Sequence, residues 1–468
     1  MCSGAGAMMT TLVLPDSVAG QIQSAAVHHL ETAGVLLVSV VHTSNDHVRL
    51  LAREVHWVPD SAYERRQYNS LSISSQGYVG ALGRAEQIGA TAIWFHTHPG
   101  VGADPRPSEH DDQVDREIAD LFRLRSGSPY YGALIISPTS DGFSFTGHLD
   151  PINSAPIAID RLFVAGDRFR FTRSFAHDAA GLSPAFDRNI RAFGPLIQQT
   201  LSDLRIGLVG CGGTGSVVAE QLVRLGVRQV IVIDPDELSE SNITRVYGST
   251  PKDIGRPKVE VIADHLRRIA PDASVEGVRG MITTESVARR LAECDVVFGC
   301  TDDNAGRLVL SRLTTYLLIP VIDCGVLLTS GQAGELQGID GRITVLVPEQ
   351  ACLVCRDRVD LARASAELLT PEERVRRADE GYAPALGGTE PAVVTFTTAV
   401  GATAVSELLE RLVGYGPVPR PNEVLLRCHD REISTNIAQP RNRHYCNPLS
   451  GKIGVGITRP YLEQTWPA

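Results

Sequence analysis

A glycine-rich turn between an apolar strand and an amphipathic helix is the first stretch of this sequence that could do chemistry. Gly210, Gly212 and Gly215 have the spacing G-x-G-x-x-G, with Gly213 between them. Glycines let backbone N–H groups approach a phosphate, and the start of the following helix carries partial positive charge. The next apolar strand ends at Asp234, whose carboxylate suits the hydroxyl groups of a ribose. The stretch predicts a nucleotide site, and the simpler alternative is a tight turn between strand and helix.

Charged residues beyond Asp234 indicate which nucleotide chemistry the sequence favours. Arg245 and Lys258 could stabilise negative charge on a phosphoryl group during its transfer. Asp302 follows a predicted strand, and a carboxylate at the carboxyl end of a strand could hold Mg²⁺. A nicotinamide dehydrogenase needs only the acidic residue for the ribose, so that alternative leaves these three residues unexplained. The set therefore favours triphosphate chemistry.

A second group of candidate residues lies in the N-terminal third of the chain. His96 and His98 are two residues apart in a predicted strand, so both side chains point to one face of it. Asp111 lies in the helix that begins after the next loop. Two imidazoles and a carboxylate leave a fourth position open on Zn²⁺, which is the catalytic arrangement. The alternative is a pair of ordinary strand-end histidines, with Ser108 and Asp111 forming a capping box at the start of the helix.

The elements that must hold the histidines form an α+β pattern over residues 9–150. A helix over Ser17–Thr32 carries Glu31 at its end, and three apolar strands follow it. The predicted strands are Gly34–Val41, Val48–Val58 and Thr91–His98.

Residues 185–468 show a different pattern, in which apolar strands alternate with amphipathic helices. This alternation is typical of a Rossmann-like α/β domain with a largely parallel sheet, whose ligands lie at the carboxyl ends of the strands. Between the two regions, residues 151–184 are rich in Pro, Ser, Ala and Asp, which predicts an interdomain linker. The predicted strands are Arg205–Val209, Gln229–Ile233, Ala273–Val278, Val296–Cys300 and Pro320–Cys324, with a β-rich return over Gly334–Leu346.

Length and charge exclude several classes of protein. A chain of 468 residues is long enough for several domains, each with its own core. The formal net charge of -10 argues against nucleic-acid binding, which needs basic surface. No apolar run reaches the roughly 18 residues of a membrane span, and the first residues lack the basic flank of a signal peptide. We expect a cytoplasmic protein with no nucleic-acid or membrane partner.

The motifs of the C-terminal region resemble those of the ThiF/MoeB family. These enzymes form adenylates and thereby activate the C-terminus of ubiquitin-like and sulfur-carrier proteins. The glycine loop is followed by D-x-D at Asp234, S-N-x-x-R at Ser241, G-x-P-K at Gly255 and C-T-D at Cys300. The resemblance covers roughly Phe186–Arg411.

This resemblance implies the cofactors ATP and Mg²⁺ and a homodimer. In the family, an Arg before the glycine loop reaches the phosphates bound by the neighbouring subunit. That role falls on Arg188, although Asn189 replaces the usual Gln, and the alternative is an Arg on a solvated helix face. The resemblance places the ribose at Asp234, the Mg²⁺ at Asp302 and the phosphates at Asn242, Arg245 and Lys258.

The histidine region resembles the JAMM/MPN-type metalloproteases, which include enzymes that remove ubiquitin. The matching residues run from about Leu30 to Tyr131. The resemblance assigns His96, His98 and Asp111 to zinc. It assigns activation of the water to Glu31 and stabilisation of the oxyanion to Ser108. Nine residues separate His98 from Ser108, a longer loop than the family usually has.

Cysteine usage favours a reducing compartment with one further metal site. The chain has nine cysteines, an odd number, and most are isolated. Many ThiF/MoeB enzymes close a structural Zn²⁺ with two C-x-x-C pairs, and Cys352 and Cys355 form the first. The second keeps only Cys446, so His444 or the Cys428–His429 pair is the candidate for the fourth ligand. The alternative is loss of the metal, with ordinary thiols remaining.

Both resemblances concern the C-terminal glycine of a ubiquitin-like or sulfur-carrier protein. Residues 356–390 contain no cysteine for a thioester, so we expect adenylation followed by transfer to a separate conjugating enzyme or sulfur donor. The leading hypothesis is a bifunctional enzyme that cleaves at this terminus and adenylates it. The alternatives are thiocarboxylate formation for sulfur transfer, or a scaffold in which only one module is active.

Overall fold

The structure is a computed structural model, and its chain divides into two compact units. Unit 1 comprises Met1–Asp178 and Ile453–Ile457, and unit 2 comprises Ala179–Lys452 and Thr458–Ala468. None of the described helices combines the length and the apolar character needed to cross a membrane. The residues that the structure describes are 9–43, 47–100, 105–140, 142–174, 183–330, 335–370, 372–373 and 392–467.

Unit 1 is built on a twisted sheet with helices against both faces, which confirms the predicted α+β class. The helices are α1 (Asp16–Ala26), α2 (Val79–Ile88) and α3 (Glu109–Ser126). The strands are β1 (Thr10–Pro15), β2 (Ala33–His42), β3 (Val48–Trp57), β4 (Tyr63–Arg66), β5 (Leu71–Ile73), β6 (Thr91–Thr97), β7 (Tyr130–Thr139), β8 (Gly142–Pro151), β9 (Ile157–Ala158), β10 (Arg161–Ala165) and β11 (Phe169–Arg173). In the described residues, the main sheet has the strand order β11-β10-β1-β3-β2-β6-β7-β8-β9, and β4 and β5 form a separate hairpin.

The alternation of side chains along β2 shows why this sheet is covered on both faces. Leu36 and Val38 join the core that contains α1, whereas Val35 and Leu37 join the core that contains α2 and α3. Successive strand residues point to opposite faces, so an uninterrupted apolar strand needs a layer of helices on each side. The sheet thereby fixes β6, which carries His96 and ends one residue before His98, between two packed layers.

The segment expected to be a linker, 151–184, differs from that expectation. Its two apolar runs form β10 and β11, and β10 pairs in parallel with β1. Leu162 and Phe163 are buried by this pairing. The physical reason is that β1 would otherwise present an unpaired edge of N–H and C=O groups. The composition of the segment could not predict this pairing, because the partner strand β1 lies about 150 residues away in sequence.

The first helix is also shorter than expected. It ends at Ala26, so Glu31 lies in the irregular segment before β2 instead of at a helix end. The N–H of Glu31 donates to the backbone oxygen of Gln67 at 3.0 Å. This long-range bond satisfies a group that a longer helix would have used internally, and it fixes Glu31 to the β4–β5 hairpin.

Unit 2 is a Rossmann-like α/β fold, as predicted. The helices are α4 (Asp187–Phe193), α5 (Pro195–Asp203), α6 (Gly213–Leu225), α7 (Lys258–Ile269), α8 (Glu285–Arg289), α9 (Asn304–Leu317), α10 (Leu361–Glu367) and α11 (Val394–Val413). The strands are β12 (Arg205–Val209), β13 (Gln229–Asp234), β14 (Ser274–Arg279), β15 (Val296–Gly299), β16 (Val321–Ser330), β17 (Leu336–Leu346), β18 (Glu423–Arg427) and β19 (Glu432–Asn436). The strand order in the described residues is β14-β13-β12-β15-β16-β17-β18-β19.

The strand order of unit 2 places a ligand crevice between β12 and β15. Strands β14, β13, β12, β15 and β16 are parallel, whereas β17, β18 and β19 continue the sheet antiparallel. From β12 the chain first moves outward through β13 and β14, and then returns to the other side at β15. A crevice opens at such a switch point, outside the carboxyl ends of the strands.

The glycine loop joins β12 to α6 by a close backbone approach. Gly210 has φ of +94°, a conformation that side chains disfavour. A Cβ at Gly215 would lie 1.8 Å from the carbonyl oxygen of Gly210. A Cβ at Gly212 would meet no atom within 4 Å. The first helical turn can pack on the strand only if position 215 lacks a side chain, whereas the space beside position 212 is open for a ligand.

We therefore expect Gly215→Ala to destabilise unit 2, because the added methyl group must displace the backbone of Gly210. The expected loss is about 1–3 kcal/mol or more in the free energy of unfolding, measured by denaturant titration. Gly212→Ala is the matched control and should leave the unfolding midpoint nearly unchanged. Equal losses for the two variants would contradict this account of the turn.

Candidate functional site

Strand β6 and helix α3 bring the predicted histidines and carboxylate together. The Nε2 atoms of His96 and His98 lie 3.1 Å apart. His96 Nε2 lies 3.3 Å from Asp111 Oδ1, and His98 Nε2 lies 3.9 Å from Asp111 Oδ2. A tetrahedral metal with bonds of about 2.0–2.1 Å places its ligand atoms roughly 3.3–3.4 Å apart. The three side chains therefore fit a metal site with one position left open.

Burial prepares His96 for such a role. The residue is only 6% exposed, and burial lowers the pKa of its imidazole to about 4. The ring is consequently neutral near pH 7, which is the form that binds metals. Burial also lowers the pKa of His98, although the carboxylate of Asp111 opposes that shift.

Ser108 forms the capping box that the sequence offered as an alternative reading of this helix start. Its N–H and its Oγ both donate to Asp111 Oδ2 at 2.7 Å, and its Oγ accepts the N–H of Asp111 at 3.2 Å. The capping box and the metal site coexist, because Asp111 turns its other oxygen toward His96. The role of Ser108 at an oxyanion stays a prediction, since its hydroxyl donates to Asp111 here.

Glu31 lies beside this cluster and is 7% exposed. Burial raises the pKa of its carboxyl to about 7, and the negative charge of Asp111 adds to the shift. A general base works best when its pKa is near the working pH. Glu31 lines a cavity of about 800 Å³ that is also lined by His98, Ser108 and Asp111.

The sequence interpretation missed the residue that holds Glu31 in place. Arg66, at the end of β4, donates from Nε to the backbone oxygen of Glu31 at 2.9 Å. Its Nη2 donates to Thr32 Oγ1 at 2.8 Å, and its guanidinium stacks on the ring of Tyr63 at 4.6 Å. Arg66 lies in a polar run, Glu64–Gln67, whose pattern resembles that of a solvated loop. No local signal distinguishes it from an exposed arginine.

The predicted nucleotide residues of unit 2 surround a second cavity, of about 1040 Å³. It opens at the carboxyl ends of β12, β13 and β15 and beside the middle of β16. The predicted residues that line it are Gly210, Gly212, Gly213, Asp234, Arg245, Lys258 and Asp302.

Asp234 anchors the acidic side of this cavity. Its carboxylate accepts the N–H of Cys211 at 2.6 Å and the N–H of Asp236 at 2.9 Å. Lys258 Nζ lies 2.7 Å from Asp236 Oδ2 and 3.9 Å from Asp234 Oδ1. Burial raises the pKa of Asp234 above its usual value, and the charge of Lys258 opposes that shift. The two aspartates hold the ammonium group at the cavity wall.

Some residues predicted to bind the nucleotide lie outside the lining of this cavity or make contacts that stabilise the fold. Asn242 Oδ1 accepts the N–H of Ser239 at 3.1 Å, and Arg188 is exposed on α4. Neither belongs to the described lining of the cavity. Gly215 packs against the strand, and Asp303, the neighbour of the predicted Asp302, caps α9 by accepting the N–H of Gly306 at 2.5 Å. The predicted action of Arg188 in a neighbouring subunit stays a prediction.

A third cluster joins the C-x-x-C pair to residues near the C-terminus. Sγ of Cys355 lies 3.5 Å from Sγ of Cys446 and 3.4 Å from His444 Nδ1. His444 Nδ1 lies 3.6 Å from Cys352 Sγ and 3.2 Å from Cys446 Sγ. A tetrahedral zinc with these ligand types separates them by roughly 3.5–3.8 Å. His444 is therefore the fourth member, whereas the alternative, His429, accepts the N–H of Ile339.

The raised pKa of Glu31 leads to a prediction for the metal-free protein. An acid whose folded pKa lies above its unfolded value destabilises the protein as pH rises between those two values. We expect Glu31→Gln to raise the free energy of unfolding of the metal-free protein at pH 8 by about 1–3 kcal/mol, because the substitution removes the buried negative charge of the Glu31 carboxylate. At pH 4 the wild-type carboxyl is protonated and the gain should vanish. Denaturant titrations in EDTA at both pH values measure this, and a gain that is the same at both would contradict it.

Three of the curated relatives to which this chain is similar are adenylyltransferases or activating enzymes by name. The SAMP-activating enzyme E1 of Haloferax volcanii is 31% identical over 162 residues, which are 35% of this chain and 56% of that protein. The sulfur carrier protein ThiS adenylyltransferase of Escherichia coli is 31% identical over 160 residues, 34% of this chain and 60% of that protein. The molybdopterin-synthase adenylyltransferase of Escherichia coli is 27% identical over 243 residues, 50% of this chain and 85% of that protein. The chain thus spans little more than half of the first two relatives.

Two family profiles divide the chain in the same order as the two units. The profile of prokaryotic homologues of the JAB domain matches residues 19–146, which include His96, His98 and Asp111. The profile of the ThiF family matches residues 186–447, which include the glycine loop and the thiol cluster of Cys352, Cys355, His444 and Cys446. This second match covers more than half of the chain, so the protein belongs to the ThiF family and carries a JAB-homologous domain ahead of its ThiF region.

Proposed function

We propose that the protein is a bifunctional enzyme acting on the C-terminus of a ubiquitin-like or sulfur-carrier protein. One domain cleaves at this terminus as a zinc peptidase, and the other adenylates the free carboxylate with ATP and Mg²⁺. The observation that carries the proposal is the assembly of both predicted residue sets. His98, Glu31 and Asp111 line one cavity, whereas the glycine loop, Arg245 and Lys258 line another.

The adenylating site works by positioning and by charge. Asp234 is placed to accept hydrogen bonds from ribose hydroxyl groups, and the open space beside Gly212 admits phosphate oxygens to the loop. Lys258 and Arg245 stabilise negative charge that develops as a carboxylate oxygen attacks the α-phosphorus and pyrophosphate leaves. Asp302 would hold Mg²⁺, which would neutralise charge on the phosphates.

The peptidase site works by proton transfer. His96, His98 and Asp111 would hold Zn²⁺, which would supply an acidified water and polarise the scissile carbonyl. Glu31 is buried beside these ligands with a pKa near 7, so it can accept the proton of the attacking water. The same carboxyl then donates that proton to the leaving amine. Arg66 keeps Glu31 in position through its bonds to the Glu31 backbone and to Thr32.

The thiol cluster stabilises the fold of the ThiF region and takes no part in adenylation. Cys352, Cys355, His444 and Cys446 would hold a structural Zn²⁺, which would join two segments about 90 residues apart in sequence. The set uses one histidine in place of the fourth cysteine. Such a mixed set still supplies four ligands and leaves no position open, which suits a structural rather than a catalytic ion.

Sulfur transfer is the second candidate function. One of the three relatives is named as the adenylyltransferase of a sulfur carrier protein, and residues 356–390 contain no thioester cysteine. Residues 371 and 374–391 lie outside the described part of the chain. Mass spectrometry of the carrier after reaction separates the candidates, because a thiocarboxylate marks sulfur transfer whereas isopeptide-linked products mark conjugation. In both versions a homodimer would let Arg188 reach the phosphates of the neighbouring subunit.

The zinc proposal predicts a separation between metal content and cleavage. Glu31→Gln should keep about two zinc ions per chain yet lose at least roughly 100-fold in cleavage of a carrier precursor, because the proton acceptor is gone. His96→Ala should lose one zinc ion and the activity. Metal analysis and gel-based cleavage assays measure these effects, with His56→Ala, outside the cavity, as the matched control. Full zinc content in His96→Ala would contradict the ligand assignment.

The adenylation proposal predicts carrier-dependent exchange of pyrophosphate into ATP. Lys258→Ala should lower the exchange rate by roughly 10²–10³-fold, because it removes the charge that stabilises the transition state. The exposed Lys252→Ala is the matched control and should exchange like the wild type. Cleavage should be unchanged in both variants. A wild-type protein that is silent with every glycine-tailed carrier tested would overturn this half of the proposal.

A further inference from the structure

Two arginines that the sequence interpretation did not assign converge on one buried carboxylate in unit 2. Asp323, on β16, is fully buried. Its Oδ2 accepts from Arg342 Nη2 at 2.7 Å, and its Oδ1 lies 3.5 Å from Arg307 Nε. Arg307 is in the first turn of α9, and Arg342 is on the neighbouring strand β17. Both arginines line the cavity of about 1040 Å³.

The charges of this cluster do not balance. The side chains of Arg307 and Arg342 are only 14% and 17% exposed, and together they face a single buried anion. The Nε atoms of both arginines and Asp323 Oδ1 are buried without a hydrogen-bond partner among the described residues. Buried charge is costly unless it is paired, so an arrangement of two cations and one anion favours a second anion at the cavity wall.

The space for such an anion lies beside Gly325. A Cβ at this position would lie 3.3 Å from Arg342 Nη2 and 3.7 Å from the nearest nitrogen of Arg307. The glycine thus brings the backbone of β16 close to both guanidinium groups without a side chain between them. Gly325 itself lines the cavity. The two planar, five-donor groups are therefore presented together toward the cavity, and guanidinium groups bind carboxylates in such a geometry.

The position of the pair favours a carboxylate over the phosphates of ATP. Most residues proposed for the nucleotide lie on and after β12 and β13, on one side of the switch point, and Asp302, the proposed Mg²⁺ ligand, follows β15. Asp323 lies on β16, on the other side of the switch point and two strands from β12. The phosphates already have the glycine loop, Arg245 and Lys258, whereas the acyl substrate has no assigned partner.

We propose that Arg307 and Arg342 bind the C-terminal carboxylate of the protein that is to be adenylated. The inference rests on the proposed function and adds the residues that recognise the acyl substrate. Asp323 acts through the arginines as a positioning residue, since it fixes both guanidinium groups. The pair admits a chain that ends in a free carboxylate and discriminates against the same chain ending in a neutral group.

Two synthetic peptides test this directly on the full chain. One is an N-acetylated hexapeptide ending in Gly–Gly with a free carboxylate, and the other is its C-terminal amide. With an α,β-methylene analogue of ATP present, the wild type should bind the acid roughly tenfold to 100-fold more tightly than the amide. Arg307→Lys and Arg342→Lys keep the charge beside Asp323 but lose the planar fork, so most of this preference should disappear.

The controls separate this inference from the proposed function. Both lysine variants should bind the ATP analogue within roughly twofold of the wild type. Arg224→Lys, an exposed change on α6 outside the cavity lining, should keep the preference for the acid.

Equal binding of the acid and the amide by the wild type overturns the proposal that the two arginines bind the carboxylate, even if a lysine variant fails to fold. Loss of ATP-analogue binding instead of peptide binding also overturns it, because the pair would then serve phosphates. Pyrophosphate exchange by the wild type shows independently whether the proposed function stands.

Discussion

Charged groups buried at the ends of strands must find partners, and this constraint shapes both units. Each buried carboxylate in the candidate sites is held by a specific donor or faces a cluster of ligating groups. Asp234 is held by two backbone N–H groups and the nearby Lys258, and Asp111 by the cap of α3. Glu31 faces the cluster of His98 and Asp111, and burial raises the pKa of its carboxyl to about 7. The strands and helices place these groups, but pairing and hydrogen bonding decide their charge and therefore what they can do.

The periodic elements and the motif residues could be predicted from the sequence. The glycine loop, β12 and β13 follow from local patterns, because their requirements are met within about 30 residues. The His-x-His strand was similarly clear, since a period of two puts both imidazoles on one face. These predictions depended only on residues that are close together in the sequence. The observed elements therefore differ from the predicted ones by only a few residues at their ends.

The remaining features depend on contacts between distant segments. Glu31 lies outside the observed helix, because its N–H bonds to the backbone oxygen of Gln67 instead of to a carbonyl within the helix. The strands β10 and β11 were hidden because β1, far away in sequence, supplies their pairing edge. The choice of His444 over His429 likewise required the chain to bring segments near residues 352 and 444 together. The convergence of Arg307 and Arg342 on Asp323 needed three separate elements to be placed at once.

The attachment of Glu31 has a consequence for how the zinc site would behave. The ligands His96 and Asp111 are fastened to the sheet and to α3, whereas the backbone of Glu31 is fastened to the hairpin through Gln67 and Arg66. The proposed proton acceptor and the proposed metal ligands are therefore attached to different elements of the fold. In the proposed enzyme, a small shift of the hairpin would stop hydrolysis without releasing the ion, so metal occupancy and hydrolysis would be separable.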